Sequence, residues 1–180
     1  DNLPTQQGKP QAELDPPPGV RLAWLDNALA QHAFVVLLFY EVLVTALPLE
    51  LRSYVETGVV EKIRAAGGEL FAITSEPQHL ADQAHENWGL NFTSVGDPHQ
   101  EIPRVCNERD WLTLYVNKGD MTFIQNGTDW TVEHPKGFFQ PGVLALTQSS
   151  RILYRWRSVP SEKNLNGTVA RPTPTHVWCG

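Results

Sequence analysis

The 180 residues are 41% hydrophobic and 19% charged, with a formal net charge of -6, which fits one soluble globular domain and argues against a wholly disordered chain. No block of lysine or arginine occurs, so a nucleic-acid partner is excluded and an anionic membrane surface is disfavoured. The longest apolar run, Ala33 to Tyr40, is far too short to span a bilayer, and no membrane partner is expected.

Pro4, Pro10 and Pro16-Pro17-Pro18 mark residues 1–18 as an extended arm, because proline fixes φ and removes a backbone donor. Residues 19–180 form the domain. Val20 to Gln31 carries Leu22, Leu25 and Leu29 along one side and predicts a short helix. Phe34 to Phe39 is continuously apolar, the pattern of a central strand covered on both faces. Leu47, Leu51, Val55, Val59 and Ile63 recur every four residues and predict one amphipathic helix ended by Gly67-Gly68. Leu70 to Ile73 predicts a second buried strand, followed by Ser75 as a cap and Pro77 in the first turn of a helix striped by Leu80, Ala84 and Trp88. Phe92 to Val95 predicts a short strand, Gly96-Asp97-Pro98 a turn, and His99 to Asn107 a helix. Strand and helix alternating in this way predict a parallel sheet with right-handed crossovers. Residues 111–140 read as an irregular insertion with short strands, Val143–Thr147 and Ile152–Arg157 as a closing β-hairpin, and 158–180 as mostly loop.

Cys106 and Cys179 are the two cysteines, with no C-x-x-C spacing, and the six histidines are scattered. Neither a redox dithiol nor a metal site is expected, and no cofactor is implied. A single disulfide is left open. Asp1 is not a start methionine, which fits either a removed leader or trimming. Sequons occur at Asn91, Asn126 and Asn166, but two of them are Asn-Gly-Thr, which is turn chemistry in its own right. A cytoplasmic address is expected, with secretion open.

From Val20 to about Trp178 the order of elements resembles the peroxiredoxin-like (AhpC/TSA-type) branch of the thioredoxin fold. Its carriers are the strand ending Phe39-Tyr40, the helix from Thr45, Gly68 to Thr74, Gly96-Asp97-Pro98, Pro141 to Leu146 and Arg151 to Tyr154. The resemblance implies an α/β fold with a central mixed sheet flanked by helices. In that family the first strand runs into Phe-Tyr-Arg-Gly-x-Trp-Cys-Pro-x-Cys. Laid over this chain, the two cysteines fall on Thr45 and Pro48, the arginine on Glu41 and the glycine on Val42. A thiol at a helix N-terminus is activated as thiolate; a threonine hydroxyl is not, and needs an adjacent base to become a nucleophile.

The expected site is therefore a cradle without its sulfur. Thr45 either helps the helix N-terminus hold an oxygen or simply caps the helix. Glu41 is a general acid or base if burial raises its pKa, and otherwise a solvated loop carboxylate. His134 titrates near physiological pH or is a surface histidine. By the resemblance Pro141 is a cis-proline candidate facing the site, and Tyr40 lies beside it. Arg155 and Arg157 flank Trp156; alternation puts them on the face opposite it, to bind a carboxylate or phosphate or to guard an exposed edge. Tyr40, Trp111, Trp130, Phe138 and Phe139 are either an aromatic pocket wall or ordinary core.

Three functions follow. The first is a redox-inactive protein binding a small organic molecule, with acid/base chemistry such as isomerisation, dehydration or cyclisation. The second is a thiol-dependent antioxidant or peroxidase using Cys106. The third is a non-catalytic binding or scaffold protein. A homodimer is left open.

Overall fold

The computed structural model describes residues 17–40, 47–117, 138–158 and 172–179. The chain opens with α1 (Val20–Gln31) and enters the sheet through β1 (Phe34–Tyr40). Two helices follow, α2 (Leu47–Glu56) and α3 (Val59–Ala65), then β2 (Gly68–Thr74), α4 (Gln78–Trp88), β3 (Thr93–Gly96) and α5 (Glu101–Glu108). A small ladder pairs β4 (Val116–Asn117) with β5 (Phe138–Phe139) in antiparallel fashion. The hairpin β6 (Gly142–Thr147) and β7 (Ile152–Arg157) and a last helix, α6 (Pro174–Cys179), complete the described chain.

The main sheet has the order β3-β2-β1-β6-β7. β1 runs parallel to β2, and β2 to β3, while β6 is antiparallel to both β1 and β7. The central strand is the one that is apolar throughout, because both of its faces are covered. Its odd residues Val35, Leu37 and Phe39 join Leu25 and Leu29 of α1, Ile102 and Cys106 of α5, and Leu144. Its even residues Val36, Leu38 and Tyr40 join Leu51, Tyr54, Ile63 and Val177 of α2, α3 and α6. Two apolar layers thus sandwich one sheet, and a fully buried leucine such as Leu37 contributes about 2 kcal/mol by transfer alone.

Several expectations are corrected. The single helix expected from Leu47 to Ile63 is two, because Gly58 adopts a left-handed φ of 74° and the Thr57 hydroxyl donates back to the Ser53 carbonyl at 2.7 Å. The apolar spacing survives the break, since Val59, Val60 and Ile63 stay buried on the same side. Pro77 itself is the N-cap of α4, with no side-chain cap; the Ser75 hydroxyl is buried without a hydrogen-bond partner among the described residues. In α4 the residues fully buried are Ala81 and Ala84, with Leu80 and Trp88 only half-buried. Gly96 ends β3 rather than opening a turn, and the described end of the tail, expected as mostly loop, holds the short helix α6.

Candidate functional site

In an open α/β sheet the crevice outside the carboxyl end of a strand forms where the strand order reverses. Here that strand is β1, whose neighbours are β2 on one side and β6 on the other. Tyr40 closes β1 beside Thr74 of β2, and Phe39 stands opposite Gly142, the residue after Pro141. The next described element after β1 is α2, and Pro48 lies in its first turn, where a missing N–H removes no helical bond.

A polar cluster is buried at this end. Thr74, Ser75 and Glu76 are all nearly inaccessible, as are Tyr40 and Ser94. The Thr74 hydroxyl donates to Glu76 Oε1 at 3.1 Å and accepts from the Glu76 backbone N–H at 3.4 Å. Burial first, and then the nearby Glu76 carboxylate, push the Tyr40 phenol well above its ordinary pKa, so it remains a neutral donor at physiological pH. The Ser94 hydroxyl lies near enough to offset part of that shift, although the two hydroxyls do not meet in good hydrogen-bond geometry. The Tyr40 ring meets Trp88 edge to face at a centroid distance of 6.5 Å.

The walls are cross-linked. Gln78 Oε1 accepts from the Gly96 N–H at 2.8 Å and from Arg21 Nη2 at 3.1 Å, while its Nε2 donates to the Ser94 carbonyl at 2.9 Å. Arg21 Nε donates to the Gly96 carbonyl. Beneath them Asp97 ties β3 to α5, and its N–H donates to the Thr74 carbonyl at 2.8 Å. The first turn of α4 and the end of β3 are therefore held to one another and to α1.

Of the residues expected to form the site, Tyr40 and Pro141 meet at the carboxyl end of β1. Glu41, Thr45 and His134 lie outside the described residues, as does Trp130. No cis peptide bond occurs among the described residues, so the bond before Pro141 is trans. That is the ordinary state of an X–Pro bond, and here the Pro141 carbonyl accepts from the Ser158 N–H at 2.9 Å. Arg155 and Arg157 do sit opposite Trp156, as alternation requires, but on the face shared with Leu144 and away from Tyr40. Tyr40 and Trp111 likewise belong to different layers and do not share a wall. Glu76, Thr74 and Ser94 were not among the expected site residues. The signal for them was a Ser-Glu pair immediately after an unbroken apolar strand, the place where parallel strands present ligand-binding residues.

Cys106 is a free thiol in the layer under α1 and α5. Burial pushes it up to about 12. Among the described residues no group of three or more His, Cys, Asp or Glu is placed to hold a metal ion, and no helix is long and apolar enough to cross a membrane.

No protein-family model matches the chain, and no curated protein sequence does. Solved structures do. Peroxidoxin BcpB from Mycobacterium tuberculosis is similar over 79% of this chain and 76% of its own, with a TM-score of 0.53 and 11% identity. The bacterioferritin comigratory protein of Xanthomonas campestris, described for alkyl peroxide reduction, is similar over 84% of each chain with a TM-score of 0.52 and 18% identity. A PrxQ mutant from Xylella fastidiosa gives a TM-score of 0.51 at 14% identity over 76% of this chain and 72% of its own. The fold is thioredoxin-like, of the peroxiredoxin type. At these identities the likeness concerns the fold alone.

Proposed function

We propose that this thioredoxin-like chain has left thiol redox chemistry and binds a small organic molecule in the crevice at the carboxyl end of β1, where it performs acid/base chemistry such as isomerisation, dehydration or cyclisation. The observation that carries this reading is the buried cluster of Tyr40, Thr74, Glu76 and Ser94 at the switch point of the sheet. A neutral phenol donates a hydrogen bond to a substrate oxygen, and the nearby Glu76 carboxylate takes or returns a proton. In this reading Thr45 and Pro48 align in sequence with the thiols of peroxiredoxins, and Glu41, Thr45 and His134 are further candidates for the chemistry.

Peroxide reduction through Cys106 draws no support from the geometry. Its sulfur lies in the layer opposite Tyr40, and a thiol pushed up to about 12 by burial is protonated and unreactive at neutral pH.

Native mass spectrometry of freshly purified protein, paired with a peroxide-consumption assay in the presence of an external thiol, tests the proposal. A co-purifying small molecule and peroxide loss no faster than in buffer are expected. Peroxide turnover abolished by Cys106→Ser or Cys179→Ser would overturn it, and an empty crevice in a stable complex with another protein would favour a scaffold.

A further inference from the structure

The segment leaving α5 turns back along the outer edge of the sheet, and between it and β7 lies a cleft of about 340 Å³ lined by Asp110, Leu112, Thr113, Arg155, Trp156 and Arg157. Each arginine is fastened by one end. Arg155 Nη1 donates to the carbonyls of Asp110 at 3.3 Å and Trp111 at 3.2 Å, and Arg157 Nη1 donates to the Thr113 carbonyl at 2.9 Å. The Arg157 guanidinium also lies over the Tyr115 ring, 4.9 Å from its centroid. Among the described residues neither guanidinium has a carboxylate within ion-pair distance, and neither has a further acceptor. In a chain of net charge -6, two neighbouring arginines on one strand face with no acidic partner among the described residues make a local cationic site.

The fastening matters because a guanidinium already held in place loses little side-chain freedom when an anion arrives. Two positions apart on one strand face, the two side chains are rooted about 7 Å from each other. The two oxygens of a carboxylate lie in one plane and match one guanidinium fork in bidentate fashion, whereas a phosphoryl group carries three oxygens around a tetrahedral centre and more charge, which suits forks at two separate positions. Leu112 leaves an apolar patch in the lining for whatever carries the phosphoryl group.

We propose that this cleft binds the phosphoryl group of a small phosphorylated molecule, clamped between Arg155 and Arg157. The site is on the opposite face of the sheet from the cluster under Tyr40 and does not rest on the non-redox reading of that cluster. Titration of the full chain at low ionic strength with inorganic phosphate and with phenyl phosphate, followed by 31P NMR and calorimetry, tests it. One saturable site is expected, weakened about tenfold or more in Arg157→Gln. Asp110→Asn removes the carboxylate at the rim without touching either anchor, and is expected to tighten binding about threefold. No saturable binding to the wild type, unchanged affinity in a folded Arg157→Gln, or unchanged affinity in Asp110→Asn would each overturn the proposal.

Discussion

The carboxylate of Asp97 accepts the backbone N–H of Glu101 at 3.0 Å through one oxygen and that of Ile102 at 2.9 Å through the other, while being almost wholly buried. Burial raises its pKa to about 6, against the lowering effects of those two N–H groups and of Arg21. The folded state therefore holds a proton more tightly than the unfolded chain between about 4 and 6. The contribution of this group to stability is greatest below pH 4, is lost as the pH rises through that window, and is constant above it. We predict that the unfolding free energy of the wild type minus that of Asp97→Asn falls by roughly 2 kcal/mol between pH 4 and pH 7. Chemical denaturation at several pH values measures it, and a difference independent of pH would sink the prediction.

Tyr40 and Glu76 separate stability from chemistry. Among the described residues the Tyr40 hydroxyl has no hydrogen-bond partner in good geometry, so Tyr40→Phe should leave the melting temperature unchanged or slightly raised. Once a substrate is found through the co-purifying ligand, Glu76→Gln should lower kcat by about 100-fold or more. A Tyr40→Phe protein destabilised by more than about 1 kcal/mol would show that the hydroxyl is satisfied.

Gly96 and Gly58 are required for different reasons. A Cβ on Gly96 would stand 2.6 Å from the Gln78 nitrogen and 2.7 Å from the Pro77 carbonyl carbon, so Gly96→Ala forces β3 away from α4 and should cost about 3 kcal/mol. A Cβ on Gly58 meets nothing within 4 Å; only its positive φ resists substitution. Gly58→Asn should cost well under about 1 kcal/mol and Gly58→Val clearly more. Equal costs for Gly96→Ala and Gly58→Asn would contradict the described packing.

Cys106 should be silent in the native state. We expect no reaction with a thiol-specific dye until denaturant opens the layer between α1 and α5, and then full labelling. Cys106→Ala should cost about 1 kcal/mol for the lost apolar volume. Rapid labelling of the native Cys179→Ser protein would show that the sulfur is reachable.

The sequence made the sheet legible where residue type and burial agree. The continuous run from Phe34 predicts a strand covered on both sides, and β1 is that strand; the spacing over Val20 to Gln31 matches α1 end to end. The helix break at Gly58 was hidden because the four-residue spacing continues across it, and a backbone conformation leaves no trace in an apolar pattern. The placement of Arg155 and Arg157 opposite Trp156 was readable from alternation, but not which layer that face would join. The polar cluster was missed for a related reason. Thr74, Ser75 and Glu76 read locally as the approach to a helix, and only the three-strand assembly puts Ser94 and Tyr40 beside them.

Consecutive residues of β1 face opposite ways, so Phe39 falls among apolar side chains and Tyr40 beside the buried Glu76. Gaining or losing one residue inside β1 would exchange the two rings, sending a phenol into hydrocarbon and leaving the carboxylate facing a plain benzyl group. The polar cluster is specified by the parity of one strand as much as by the identity of any side chain in it.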